Sequence, residues 1–158
     1  MSSGQQPPID LPREGVFARR RVRLDGVEDR AFPDSSYRCT VTLTWVNSHR
    51  FQGTAQGADT QQGRMRAAAE ACLRAQGEAT EGRLRLDLGG VKAVRVFDAW
   101  VVIAQVRAAG QDQSYRLIGS MDIPDEDVAT GAVLSALDAT NRILEHYLPD
   151  TSHPEFGT

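Results

Sequence analysis

Two segments in the first half of the chain alternate apolar and polar residues one by one, which predicts β-strands with one buried face. In CTVTLTWV (39–46) the apolar residues fall on one face and the threonines on the other. After a short NSHR turn, FQGTAQG (51–57) continues the alternation. A further strand is predicted before them, near FARRRVRLDGV (17–27). The first half is therefore expected to form a three-stranded antiparallel sheet.

The second half of the chain carries a similar pattern. Leucines alternate with charged residues in RLRLDLGG (83–90), and VKAVRVF (91–97) is a shorter strand or part of the same one. The run AWVVIAQVRAAG (99–110) predicts a strand that is buried on both sides at its centre, because its apolar residues do not alternate there. We expect it to pair with QSYRLIGSMDI (113–123) across a turn at Gly110–Asp112.

Each set of strands is followed by a segment whose apolar residues recur every three or four positions, as in an amphipathic helix. The first helix is expected to have Asp59 or Thr60 as its cap and to end at Gly77. The second is expected from about 125 to 147, before Pro149. The inner faces comprise Met65, Ala68, Ala69, Cys72 and Leu73, and then Ala129, Val133, Ala136, Leu137, Thr140, Ile143, Leu144 and Tyr147.

The two halves resemble each other, which indicates an internal repeat. VRLDGV matches LRLDLGGV, VTLTWV matches VVIAQV, and RFQGTAQG matches RLIGSMDI, at offsets of 62, 60 and 66 residues that align Gly53 with Gly119. The predicted fold class is α+β, with two βββα repeat units at about 16–77 and 83–148. A pseudo-twofold axis is expected to relate the units, with one helix covering each antiparallel sheet.

Composition favours one domain, 14–148, between a flexible arm at 1–13 and a flexible tail at 149–158. The chain has 158 residues, 41% of them hydrophobic, which is enough to bury a core. No apolar run approaches the roughly 20 residues of a membrane span. Because neither a secretory core nor metal-ligand spacing accompanies the two cysteines, we expect a cytoplasmic location.

A glycine on the third strand, an acidic turn and a helix containing ALDATNRIL (136–144) resemble the C-terminal regulatory domain of 2-isopropylmalate synthase and citramalate synthase. The corresponding features here are Gly119, the turn DIPDED (122–127), Ala132, Ala136 and Asn141–Arg142. The resemblance covers about residues 16–148. It implies a non-enzymatic homodimeric module, here expected to stand alone, that binds a small effector such as a branched-chain amino acid between its units.

The segments that precede the two helices carry the residues expected to contact such a ligand: Gly53, Gly57, Asp59, Gly119 and Asp122. Free N–H groups at a helix N-terminus suit an anion. The glycines have a second interpretation, because a strand glycine also lets a helix approach the sheet closely. On that interpretation, which we favour, small residues of the helix face them: Ala68 or Ala69 opposite Gly53, and Ala132 or Ala136 opposite Gly119.

No catalytic residue, metal site or cofactor is predicted. The glycines match neither a P-loop nor the G-x-G-x-x-G fingerprint, and the three histidines lack metal-ligand spacing. Cys39 and Cys72 fall on core faces, where free cysteine behaves as a small hydrophobe. The acidic run between Asp122 and Asp127 is expected to cap the second helix, because the helix dipole favours negative charge there.

Two other functions stay open beside the ligand-binding module. One is a structural subunit that docks on a partner protein. The other is a weak nucleic-acid binder that uses the arginines of 19–23, although a net charge of −3 argues against general binding to nucleic acid. The element order of 62–147 is also that of a double-stranded RNA binding domain, but the acidic start of its last helix would repel RNA. A homodimer is expected because the threonine-lined face would otherwise stay wet.

Overall fold

A computed structural model describes residues 22–45, 49–123, 127–144 and 146–147, and the structural statements below concern this part of the chain. The predicted arm at 1–13, the arginines at 19–21 and the predicted tail at 149–158 lie outside the described residues. None of the helices in the described ranges is both long enough and apolar enough to cross a membrane.

In the part of the chain that the structure describes, two three-stranded antiparallel sheets alternate with two helices. Sheet A consists of β1 (Arg23–Ala31), β2 (Ser36–Trp45) and β3 (His49–Ala58), and helix α1 (Gln61–Ala79) follows it. Sheet B consists of β4 (Arg85–Val96), β5 (Ala99–Ala109) and β6 (Ser114–Ile123), and helix α2 (Val128–Leu144) follows it. The predicted α+β fold of two βββα units is confirmed, and VKAVRVF belongs to the same strand as the leucine repeat before it.

The core lies between the sheets and the helices. Helix α1 packs on β2 and β3, α2 packs on β5 and β6, and the two helices also pack on each other. The alternation of β2 explains its inner face, since every second residue from Tyr37 to Trp45 is buried. Strand β5 likewise buries Val102, Ala104 and Val106 on one face only, while Val101 and Ile103 on its other face are half-buried. The prediction that β5 is buried on both sides is therefore wrong, because no described element covers its outer face.

The strand registers show how the two units repeat. A bulge interrupts β1 between Leu24 and Gly26, and the same irregularity interrupts β4 between Leu88 and Gly90, 64 positions later. In the centre of each sheet, Val41 pairs with Val27 and Gly53, whereas Ala104 pairs with Val91 and Gly119. The repeat is confirmed with offsets of 64, 63 and 66 residues for the three strands. The matching of VTLTWV with VVIAQV is wrong by three residues, because loops of unequal length join the strands in the two units.

Gly53 and Gly119 lie where the helix of each unit crosses the third strand. A Cβ atom on Gly53 would overlap the carbonyl oxygen of Ala71 and the amide nitrogen of Ala75. A Cβ atom on Gly119 would overlap the carbonyl oxygen of Ser135 and the amide nitrogen of Ala139. Both helices therefore touch the strand with their backbone, which only glycine permits.

The predicted facing residues, Ala68 or Ala69 and Ala132 or Ala136, lie too early in their helices. Helix α1 runs back along β3 from the strand's end at Ala58, so Gly53 lies about 17 Å along the strand. A helix needs about 11 residues to cover that distance. The crossing therefore falls near Ala71, one turn later than the sequence analysis placed it.

The helix boundaries follow from their caps. Thr60 is the N-cap of α1, because its hydroxyl accepts the amide of Gly63 at 2.9 Å. Asp127 caps α2 by accepting the amide of Thr130 at 3.2 Å, as the acidic run predicted. The expected end of α1 at Gly77 is wrong, since the helix continues to Ala79. Glu81 and Gly82 supply the left-handed conformation after the helix instead, with φ +58 and +78, and the amide of Gly82 bonds to the carbonyl of Gly77 at 3.0 Å.

We predict that Gly53→Ala and Gly119→Ala each destabilise the fold, because even a methyl group meets the helix backbone. Overpacking of this kind costs about 1–3 kcal/mol, measured as the free energy of unfolding in urea. Gly26→Ala is the matched control, since no heavy atom lies within 4 Å of a Cβ there and its φ is not positive. Two variants that unfold like the wild type would contradict the crossing.

We predict that Gly77→Ala stabilises the chain. Gly77 lies inside α1, and a Cβ there meets no atom within 4 Å. Replacing a helical glycine by alanine gains about 0.5–1 kcal/mol. A thermal melt of the variant against the wild type checks this, and a lowered melting temperature would show that the helix needs the glycine.

Candidate functional site

A cleft of about 410 Å³ lies between the two units, where the first turns of both helices come together. The first unit contributes the start of α1 and the residue before it. The second unit contributes residues from β5 and β6 and the first residue of α2. The lining residues are Asp59, Thr60, Gln61 and Arg64 from the first unit, and Trp100, Ile123 and Val128 from the second.

The two walls of this cleft differ chemically although the repeat relates them. By the strand and helix offsets, Trp100 occupies the position of Tyr37, and Val128 occupies the position of Arg64. The first unit thus presents a charged wall and the second an apolar one. A ligand that fits both walls must carry charge at one end and hydrocarbon at the other.

The charged wall is held in place by a chain of polar contacts. Arg64 donates to Asp59 at 2.6 Å, and its guanidinium lies over the ring of Tyr37 at 5.2 Å from the centroid. The hydroxyl of Tyr37 in turn donates to Asp29 at 2.6 Å. Burial and this hydrogen bond raise the pKa of Tyr37, so the phenol stays a donor. The guanidinium is fixed in position, yet the Arg64 side chain keeps 43% of its surface exposed.

The start of α1 adds hydrogen-bond donors to the same wall. The Thr60 hydroxyl accepts the amide of Gly63. The backbone N–H groups of Gln61 and Gln62 have no partner within the residues that the structure describes. The Gln62 side chain donates to the carbonyl of Val91 at 2.9 Å and so ties the helix start to sheet B. Together with Arg64, these amides form a site that suits a carboxylate.

Of the five residues predicted to contact a ligand, Asp59 lines the cleft. Gly53 and Gly119 lie under the helices, and a Cβ on Gly57 would come within 2.9 Å of the carbonyl oxygen of Gly63. Asp122 is exposed on β6 and faces away from the helices, in register with Val101. The structure therefore brings none of the other four into the cleft with Asp59.

Sequence reasoning considered Thr60 only as a helix cap and missed the other cleft residues besides Asp59, which are Gln61, Arg64, Trp100, Ile123 and Val128. Trp100 and Ile123 are neighbours across β5 and β6, so the sheet brings Trp100 next to the segment that leads into α2. The repeat itself was the available signal, because the correct offset between β2 and β5 aligns Trp100 with Tyr37. That offset depends on hairpin lengths that the sequence pattern leaves ambiguous.

The other reactive side chains do not form a site. Burial raises the pKa of Cys39 to about 11 and that of Cys72 to about 12. Within α1, the side chain of Gln76 donates to the sulfur of Cys72 at 3.3 Å. Within the described ranges, no group of three or more His, Cys, Asp or Glu residues is arranged to hold a metal ion.

No protein-family model and no curated protein matches the chain. The function is therefore inferred from the geometry and chemistry of the cleft.

We predict that neither cysteine reacts with iodoacetamide in the native protein at pH 8. Both thiols are buried, and their raised pKa values leave little thiolate at that pH. Mass spectrometry should show two alkylated cysteines only after unfolding in guanidinium. Rapid labelling of the native chain would reveal an accessible, activated thiol and would contradict this structural role.

Proposed function

We propose that the chain is a non-enzymatic regulatory module that binds a small effector in the cleft between its two units and forms a homodimer. The observation that carries the ligand-binding part is the contrast between the charged wall, formed by Asp59 and Arg64, and the apolar wall, formed by Trp100, Ile123 and Val128. A cleft that joins such walls suits an amphipathic molecule.

An α-amino acid with a branched aliphatic side chain fits these walls best. Its carboxylate meets the Arg64 guanidinium and the free amides at the start of α1. Its ammonium group lies within reach of the Asp59 carboxylate, which already accepts the Arg64 guanidinium. Its side chain packs on the apolar wall. A volume of about 410 Å³ lies toward the small end of ligand pockets, which span about 300–1,000 Å³. This favours a single amino acid over a nucleotide or a peptide.

A ligand in this position would couple the two units. It would contact the start of α1, the start of α2 and the ends of two strands of sheet B at once. Binding would therefore favour the arrangement in which both units are docked, and any equilibrium that separates them would shift toward it. This is the physical sense in which the module would be regulatory.

We predict that leucine, isoleucine or valine raises the melting temperature of the wild type and that Arg64→Gln abolishes this rise. The reason is that the carboxylate loses its charged partner. Arg66→Gln is the matched control, because Arg66 lies on the same helix, pairs with Glu70 at 3.4 Å and does not line the cleft. Isothermal titration calorimetry with the same ligands measures the affinity directly.

The two ends of the ligand can be separated by a second probe. The compound 4-methylpentanoate keeps the carboxylate and the branched chain of leucine but lacks its ammonium group, so it should bind at least tenfold more weakly. Equal binding of Arg64→Gln and wild type, or no binding of any branched-chain amino acid, would contradict the proposed site.

A further inference from the structure

The outer face of sheet B, the face that points away from the helices, has an apolar centre. Val94, Val101 and Asp122 lie side by side across the three strands. Ile103 follows in the next row between Lys92 and Ser120, and Ile118 follows in the row after that, beside Gln105. Ile118 is 64% exposed, and Val101 and Ile103 are half-buried without a covering element among the described residues. A patch of this kind marks an interaction site rather than an ordinary surface.

The fold itself does not require this apolar patch, as sheet A shows. The residues of sheet A equivalent to Val101, Ile103 and Ile118 are Arg38, Thr40 and Gln52. They form a polar surface with hydrogen bonds of its own, for example Gln52 to Thr42 at 3.1 Å. The two units therefore agree on their inner faces and differ on their outer faces.

Charges are separated along the outer face of sheet B. Arg107 and Arg116 lie directly opposite each other near one end, with Asp87 of β4 on the other side of Arg107, and Asp122 lies near the other end. Two like charges in a cross-strand pair destabilise a sheet. Neither arginine, nor Asp122, forms an ion pair with another residue in the part of the chain that the structure describes.

Arg116 and Asp122 cannot meet within one chain. Arg116 and Asp122 lie six residues apart on the same strand, a distance of about 20 Å. The equivalent of Arg116 in sheet A is Arg50, which pairs with Asp25 of its own sheet at 3.4 Å. Gly89 stands at the position of Asp25 in sheet B, so that partner is missing there.

We propose that the outer face of sheet B binds the same face of a second copy of this chain, with the strands of the two sheets antiparallel. A twofold axis that crosses β5 between Ile103 and Gln105 places Arg116 of each copy opposite Asp122 of the other copy. The dimer therefore contains two such pairs. Strands in the parallel sense would instead place Arg107 against Arg107. Packed sheets align their strands within about 30°, and a self-complementary patch is what a twofold dimer requires.

This inference assigns an interface to the homodimer of the proposed function. The surface expected to drive the pairing is the outer face of sheet B, instead of the threonine-lined face of sheet A. On the threonine-lined face of sheet A, Thr40 bonds to Thr54 at 2.9 Å and Thr42 accepts from Gln52, so two of its hydroxyls are already paired within the chain. The inference does not depend on the ligand cleft, which lies on the other side of sheet B at the helix starts.

Sedimentation equilibrium of the full chain and its variants tests the interface. The mass of one chain is 17.3 kDa. The wild type should have twice this mass at micromolar concentration, and Ile118→Lys should be monomeric. Gln52→Lys is the matched control on sheet A and should stay dimeric. Arg116→Asp and Asp122→Arg should each weaken the dimer at least tenfold, and the double variant should restore it because the charges are exchanged.

Three results would overturn the proposal: a monomeric wild type, a dimer that Gln52→Lys disrupts and Ile118→Lys does not, or a charge exchange that fails to restore what the single changes lose. A monomeric wild type would indicate that residues 1–21 or another protein cover the patch instead. Binding of leucine to the Ile118→Lys variant, measured by calorimetry, is a separate readout. Loss of the dimer with retained leucine binding supports both proposals, whereas a dimer that binds no ligand supports the interface and contradicts the cleft.

Discussion

The contact between each helix and its third strand is the constraint on which the rest of the structure depends. At Gly53 and at Gly119 the helix backbone occupies the place of a side chain. This contact fixes how far each helix runs back along its sheet and how closely it lies on it. Alanine, serine and cysteine fill the space that remains between the two helices, where Cys72 approaches the carbonyl of Val133 at 3.7 Å. Larger residues would separate the layers.

The cleft follows from the same constraint. Because each helix begins directly after its third strand and runs back over it, both helix starts lie at the strand ends that meet between the units. The repeat would give this junction two equal walls. Replacement of Tyr37 by Trp100, and of Arg64 by Val128, makes one wall charged and the other apolar. The chemistry of the site thus arises from the divergence of the units rather than from either unit alone.

The sequence predicted the elements well where a single pattern governs them. The alternation from Cys39 to Trp45 fixes an inner face, and Gly53 and Gly119 mark the helix crossings. It failed where geometry in three dimensions decides. The offset between β2 and β5 depends on hairpin lengths, and the crossing at Ala71 depends on the different rises of helix and strand. The end of α1 depends on Glu81 and Gly82 rather than on Gly77. The cleft combines residues from both units, so no local sequence motif predicts it.

The comparison of the two units separates what the fold requires from what it leaves free. Positions that face the helices are apolar or small in both units, since both must bury a sheet under a helix. The outer faces are under no such requirement, and there the first unit carries Arg38, Thr40 and Gln52 where the second carries Val101, Ile103 and Ile118. A solvated face does not require valine and isoleucine, as sheet A shows, and it loses stability from paired arginines. The residues that the fold does not explain therefore lie at the cleft and on the outer face of sheet B, and these two surfaces carry the functional argument.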